Sequence, residues 1–156
     1  MKITIDTYAD KNAGDFERIW ISWITQAMGL KPQKQDLQEV RNPFESYVTN
    51  GGMAFYVNTH ERCVGVVAVK KLNETAYEFC KLVVDEKARG LGLGKKLVQR
   101  CIDFVNEVNG QALYLQSFHK LDIALKMYKK MGFTNAEAPK EMLVVERTEV
   151  IMKKEL

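Results

Sequence analysis

The chain is poor in the residues that signal metal or thiol chemistry. It has three cysteines in 156 residues. These are Cys63, Cys80 and Cys101, and neither their odd number nor their wide spacing suits a disulfide framework or a Cys-x-x-Cys zinc site. Each stands among apolar neighbours, which predicts reduced, buried thiols. The two histidines, His60 and His119, are tied to no cysteine by any motif, so a Cys-His nucleophile is not indicated. No apolar run is long enough to cross a bilayer, and the opening Met1-Lys2-Ile3-Thr4-Ile5-Asp6 alternates like a strand where a secretion signal would be continuously apolar. A cytoplasmic protein with no membrane partner is the expectation. Charge of one sign is also lacking: 23 basic and 20 acidic residues give a formal +3, and the lysines are scattered, so no nucleic-acid footprint is evident. Repeats, linkers and low-complexity tracts are missing. With 46% hydrophobic and 28% charged residues, 1–156 reads as one globular domain able to bury a core.

Periodicity supplies the elements. Phe16, Ile19, Trp20, Trp23, Ile24 and Ala27 recur at three- and four-residue steps and predict an amphipathic helix, both tryptophans facing inward, that Gly29 and Pro32 help to end. A polar connection with short helices near 37–41 and 44–48 follows, closed by Asn50-Gly51-Gly52. Three segments rich in β-branched and aromatic residues, 54–57, 63–71 and 76–84, are parted by turn-forming residues and read as an antiparallel meander. Leu97, Val98, Cys101, Ile102, Val105 and Val108 then form one helical stripe, ended by Asn109-Gly110 as a left-handed cap. A strand at 112–116, a helix through Leu121, Ala124, Leu125 and Tyr128 capped by Gly132, and closing strands near 142–146 and 148–154 complete a mixed α/β sheet with helices on its faces.

The most informative segment joins the strand-like 78–84 to the helical 95–108. It is Arg89-Gly90-Leu91-Gly92-Leu93-Gly94. Glycine lets backbone N–H groups approach a ligand closely, and a helix N-terminus adds unpaired donors and the positive end of its dipole, so the junction should bind phosphate. A P-loop would need a glycine at Arg89 and a hydroxyl at Lys96. A dinucleotide fingerprint would need Gly-x-Gly-x-x-Gly, but the spacing here is Gly90-x-Gly92-x-Gly94.

What fits is Arg-x-x-Gly-x-Gly, read on Arg89, Gly92 and Gly94, and this resembles the pyrophosphate-binding motif of the GNAT family of N-acetyltransferases. Upstream, Glu78-Phe79-Cys80-Lys81-Leu82-Val83-Val84-Asp85 looks like the family's fourth strand, and downstream Ala124, Tyr128, Lys130, Gly132 and Phe133 stand at the spacing of its Ala-x-x-x-Tyr-x-Lys-x-Gly-Phe motif. Val150 to Leu156 is similar to a common last strand, so the resemblance runs from Gly51 onward. Two departures stand out: Glu86, where the family often has Pro, and Leu121, where it often has an Asn that offers a polar contact.

The resemblance implies a central, mostly antiparallel twisted sheet with helices on both faces and a splay between its fourth and fifth strands, near 82–84 and 113–116. It implies acetyl-CoA as co-substrate and no metal. Leu82, Val83 and Val84 would face the pantetheine arm through their amides, while Arg89, Gly90, Leu91, Gly92, Leu93, Gly94 and Lys95 would present N–H groups to the pyrophosphate. An alkylamine with a pKa near ~10.4 must lose a proton before it attacks, and Glu78 matches the family's carboxylate for that task, directly or through a water. A backbone N–H near Val83 or Val84 would meet the oxyanion, and Tyr128 matches the tyrosine that protonates the leaving sulfur. The residues themselves also permit blander roles. Glu78 can be a solvated, cross-strand-paired residue, Tyr128 a core tyrosine with its hydroxyl at the surface, and the glycine turn a packing device. His119 is either an alternative base or an ordinary surface residue; Lys95, Lys129 and Lys130 are either 3′-phosphate contacts or solvated charges. Trp20, Trp23, Tyr47 and Phe118 are candidates for an acceptor pocket, although the helical stripe favours core packing for the tryptophans. The acceptor is a small-molecule or peptide amine, shaped by the region after the first helix and by 134–140 and Arg147. A homodimer stays open, and so does a non-catalytic acyl-CoA-binding module.

Overall fold

The computed structural model describes residues 2–156. Within them lie seven strands: β1 (Thr4–Thr7), β2 (Met53–Asn58), β3 (Cys63–Lys71), β4 (Ala76–Val84), β5 (Ala112–Ser117), β6 (Thr134–Asn135) and β7 (Val150–Glu155). They form one sheet in the order β1-β2-β3-β4-β5-β7-β6. Every pairing is antiparallel except β4 with β5, which is parallel. Connectivity explains the exception. Short turns fold β2 to β4 into a meander, whereas the chain between β4 and β5 crosses over as helix α3 (Leu93–Glu107), as a parallel pair requires.

Helix α1 (Asp15–Ser22) runs directly into a π-helical turn, Trp23–Ala27, and α2 (Lys34–Arg41) is followed by a second π-helical turn, Phe44–Val48. Helix α4 (Asp122–Lys130) precedes β6. The sheet is covered on both faces, and strand alternation divides the core accordingly. Phe55, Val57, Val67 and Val69 pack with Leu97, Val98, Cys101 and Val105 of α3, while Ala54, Tyr56, Val66 and Ala68 pack with Phe16, Ile19 and Trp20 of α1. This is why β2 and β3 read as nearly continuous apolar runs. The three cysteines are free, and burial pushes the Cys63 thiol up to about 11, away from nucleophilic chemistry at neutral pH. No helix among the described residues is long and apolar enough to cross a membrane.

Two expectations need correction. The segment 142–146 is not a strand, and the short strand paired to β7 is Thr134–Asn135. Met142 is buried, but Leu143 and Val144 are exposed, and the main chain at Leu143 and Val145 hydrogen-bonds to the Gln116 side chain, not to a ladder. The tryptophans also differ in depth: Trp20 is buried, whereas Trp23, still in α-helical register with Ile19, packs half-buried against the same core.

Candidate active site

Strands β4 and β5 pair only where Ala76, Tyr77 and Glu78 lie beside Ala112, Leu113 and Tyr114. Beyond Glu78 they part, which is the expected splay. A register shift in β4 opens it further. Val83 is opposite Val66 and Cys80 opposite Ala68, so β4 has one residue more than β3 there, and Lys81 bulges with φ of 60°. Such a left-handed conformation costs a non-glycine residue about 1–2 kcal/mol. A buried anchor offsets that cost: Lys81 Nζ lies 3.0 Å from Asp36 and 3.5 Å from Glu39, and 4.9 Å above the Trp20 ring. The amide of Asp85 donates to the Val64 carbonyl at 2.7 Å, and strand alternation then turns the Val83 main chain toward β3 and those of Leu82 and Val84 toward the gap. The amide contribution expected from β4 therefore narrows to Leu82 and Val84.

The gap deepens into an open cleft of about 750 Å³ walled by Trp20, Trp23, Leu82, Phe118, Leu121 and Tyr128, with Glu78 at its base. Glu78 is 1% exposed. Its Oε2 accepts from Gln116 Nε2 at 2.9 Å, whereas Oε1 is buried without a partner. Burial raises the Glu78 carboxyl above the usual carboxylate range, only partly opposed by the charge of Lys70 and the Gln116 hydrogen bond. A solvated, ion-paired strand residue is not what stands at this position. Tyr128 is also buried, edge-on to Phe79 at 5.5 Å and to Phe133 at 6.1 Å, and burial raises its phenol above the ordinary value. It keeps its proton through the neutral range.

Trp23 borders both this cleft and a second hollow lined by Val84, Arg18 and Arg89, the residue at which the glycine turn begins. In the turn, Gly90 and Gly92 take φ of 84° and 71°, and a Cβ on either would meet nothing within 4 Å. Gly92 is the N-cap of α3 and offers no side-chain cap. The Arg89 amide is used within the chain, donating to Glu86 at 3.2 Å, but no backbone acceptor pairs with those of Gly90 to Lys95 among the described residues. Six main-chain donors at or just before a helix N-terminus thus have no backbone partner among the described residues, the arrangement that attracts an anion. The side chains of Lys95, Lys129 and Lys130 are exposed, as is His119, whose amide donates to Glu149.

One feature is only faintly marked in the sequence. Buried Asp36 and Glu39 of α2 and Lys81 of β4 join half-buried Lys70 of β3 and Arg147 in a single ion cluster. Arg147 makes two hydrogen bonds to Asp36, at 2.8 and 3.1 Å, across 111 positions of sequence. Burial alone would raise the Asp36 carboxyl, but Arg147 and Lys81 together hold it down at about 2. The i,i+3 spacing of Asp36 and Glu39 was the available signal, and nothing nearby in sequence indicated their partners. Behind this cluster lies a second open cleft, of about 1040 Å³, lined largely by polar residues including Gln35, Gln38, Asn42 and Asn50. Glu39, Lys70 and Glu78 border both clefts.

The model of the acetyltransferase (GNAT) family matches residues 16–133, and the chain belongs to that family. It is 32% identical over 104 residues to the probable N-acetyltransferase camello of Xenopus laevis, a match covering 65% of this chain and 46% of that protein, so the chain spans about half the length of this relative. An acetyltransferase of the GNAT family from Staphylococcus aureus superposes with a TM-score of 0.91 at 22% identity over 99% of each chain. The PaiA N-acetyltransferase of Thermoplasma acidophilum, solved in complex with coenzyme A, superposes with a TM-score of 0.76 at 14% identity over 100% of each chain. At such identities these two structures establish the fold, the mostly antiparallel sheet splayed between β4 and β5.

Proposed function

We propose that this GNAT-family chain is an N-acetyltransferase that moves an acetyl group from acetyl-CoA to a primary amine by direct attack in a ternary complex. The observation that carries the reading is a series of unpartnered polar groups, which we take to line one trough: the Glu78 Oε1, the gap-facing amides of Leu82 and Val84, and the amides of Gly90, Leu91, Gly92, Leu93, Gly94 and Lys95. Acetyl-CoA supplies an acyl group activated as a thioester. The chain's own groups do the rest. The glycine-turn amides hold the diphosphate, and the parted edge of β4 accepts the pantetheine arm as a strand would be accepted. Val83 adds its side chain to the wall, and the Arg89 guanidinium supplies positive charge beside the turn.

Glu78 acts as the base. Its Oε1 has no other partner, and a carboxyl raised by burial is better matched to an amine than an ordinary one. The amine approaches from the polar cleft on the far side of Glu78, and the side-chain amides there suit a hydrophilic acceptor. An amide of Leu82 or Val84 donates to the oxyanion that develops on the acyl carbon, and Tyr128 gives its proton to the departing sulfur. That the coenzyme A of the Thermoplasma PaiA structure is held by a protein of the same fold supports the donor assignment.

The test is a panel of diamines, amino sugars, amino acids and peptides, followed by thiol release from acetyl-CoA. Turnover with at least one amine is expected. Stabilisation by CoA without turnover on any amine would mark a binding module instead, and no stabilisation by acetyl-CoA or CoA would remove the reading altogether.

A further inference from the structure

We propose that Gln116 is a positioning residue for the base, fixing which oxygen of Glu78 faces the reactants; this rests on the reading of Glu78 as base. Gln116 stands on β5 just past the last residue that pairs with β4, so its side chain reaches across the opening gap. Its amide is fully used. The two N–H bonds of Nε2 go to Glu78 Oε2 and to the Leu143 carbonyl, each at 2.9 Å. Its Oε1 accepts from the Val145 amide at 3.0 Å and from the Thr148 hydroxyl. Two donors and two acceptors are all that a glutamine side chain has.

That saturation determines orientation. Turning the amide over would set its oxygen against the Glu78 carboxylate and against the Leu143 carbonyl, and its nitrogen against the Val145 N–H. The direction of the Glu78 contact is therefore enforced by the irregular segment 143–148, which a second bond set pins to the molecule through Arg147 and Asp36. Leu143 borders the polar cleft while Val145 and Thr148 border the thioester cleft, so the segment runs between the two. With Oε2 held, Oε1 is the oxygen left free. The other charged groups around Glu78 are Lys70 opposite it on β3, Glu39 from α2 and Lys81 further along β4. None of them hydrogen-bonds to Glu78, so Gln116 is its one polar contact among the described residues.

Two readouts test this. One is the 13C titration of the Glu78 carboxyl, identified by its disappearance in Glu78→Gln, and the other is the acid limb of kcat/KM. Gln116→Leu removes the donor, and we expect the titration midpoint and the acid limb to rise together by roughly one pH unit. Gln116→Glu keeps the shape but brings a second carboxylate against the first, so the rise should be larger; this variant also serves if the leucine does not fold. Thr148→Val should lower Tm while leaving the midpoint in place, since the Nε2 contact survives. A midpoint unmoved in Gln116→Leu or Gln116→Glu overturns the inference. An acid limb that persists in Glu78→Gln overturns instead the assignment of Glu78 as base.

Discussion

Asp36 and Glu78 are both carboxylates of negligible exposure, and the protein treats them in opposite ways. Asp36 accepts two bonds from Arg147 and one from the Gln33 amide, with Lys81 at 3.0 Å, and its carboxyl is held at about 2. Glu78 accepts a single bond, has one oxygen with no partner, and its carboxyl is raised. A saturated buried charge fixes geometry; an unsaturated one is available for proton transfer. The two are mechanically linked, because Asp36 anchors the Lys81 bulge that turns the β4 main chain into the gap, and anchors Arg147 beside the segment that orients Gln116.

The comparison predicts substitutions of opposite character. Glu78→Gln should lower kcat by about 10²- to 10⁴-fold. It should also raise Tm at pH 8, since an unpaired buried carboxylate is replaced by a neutral amide of the same shape. An unchanged kcat would break the contrast at its functional end. Asp36→Ala should lower unfolding free energy in urea by about 3–5 kcal/mol, because two cations lose their buried partner. A loss below about 1 kcal/mol, the worth of a surface pair, would break it at the structural end.

Stability against pH should separate them as well. With a folded pKa of about 2, below the unfolded value near ~3.9, the Asp36 contribution is fully present above that value and is lost as pH falls toward 2. Glu78 has the reverse sign. Its folded pKa is raised, so stability declines as pH climbs from the ordinary carboxylate range through the folded value, and Glu78→Gln should remove that decline. Thermal unfolding followed across pH for wild type and Glu78→Gln checks this, and parallel curves would contradict it.

Two smaller effects sharpen the picture. Tyr128→Phe should reduce kcat by about 10²-fold, at the low end for a general acid, with acetyl-CoA affinity nearly unchanged by calorimetry. Affinity and kcat falling equally would assign Tyr128 to binding. Gly92→Ala puts a Cβ at φ of 71° and should destabilise by about 1–2 kcal/mol while weakening CoA binding, read by thermal shift with and without CoA.

Sequence was most informative where chemistry is local. The glycine spacing, the β-branched runs and the α3 stripe each depend on neighbours within a turn or a strand, and their bounds came close: 63–71 and 76–84 coincide with β3 and β4, and α3 starts at Leu93. Asn109, with φ of 63°, makes the left-handed turn expected of the Asn-Gly pair. What escaped depends on distant partners. The apolar residues of 142–146 have strand propensity, yet Gln116 takes their main-chain bonds from a part of the chain near 30 positions away. Asp36 looks like an ordinary surface charge until the fold closes around it, Arg147 reads as a pocket residue with no sign in sequence of its buried partner, and Glu78 looks half-exposed until α2 and 143–148 cover its edge.

The proposal for the trough is open to a direct experiment: titrate CoA into 15N-labelled protein and follow the amide spectrum. The largest shifts should fall on Leu82, Val84 and Gly90 to Lys95, with Val83 and Arg89, whose amides are already engaged, moving less. A spectrum unchanged at those amides, or one perturbed chiefly elsewhere, would contradict the account.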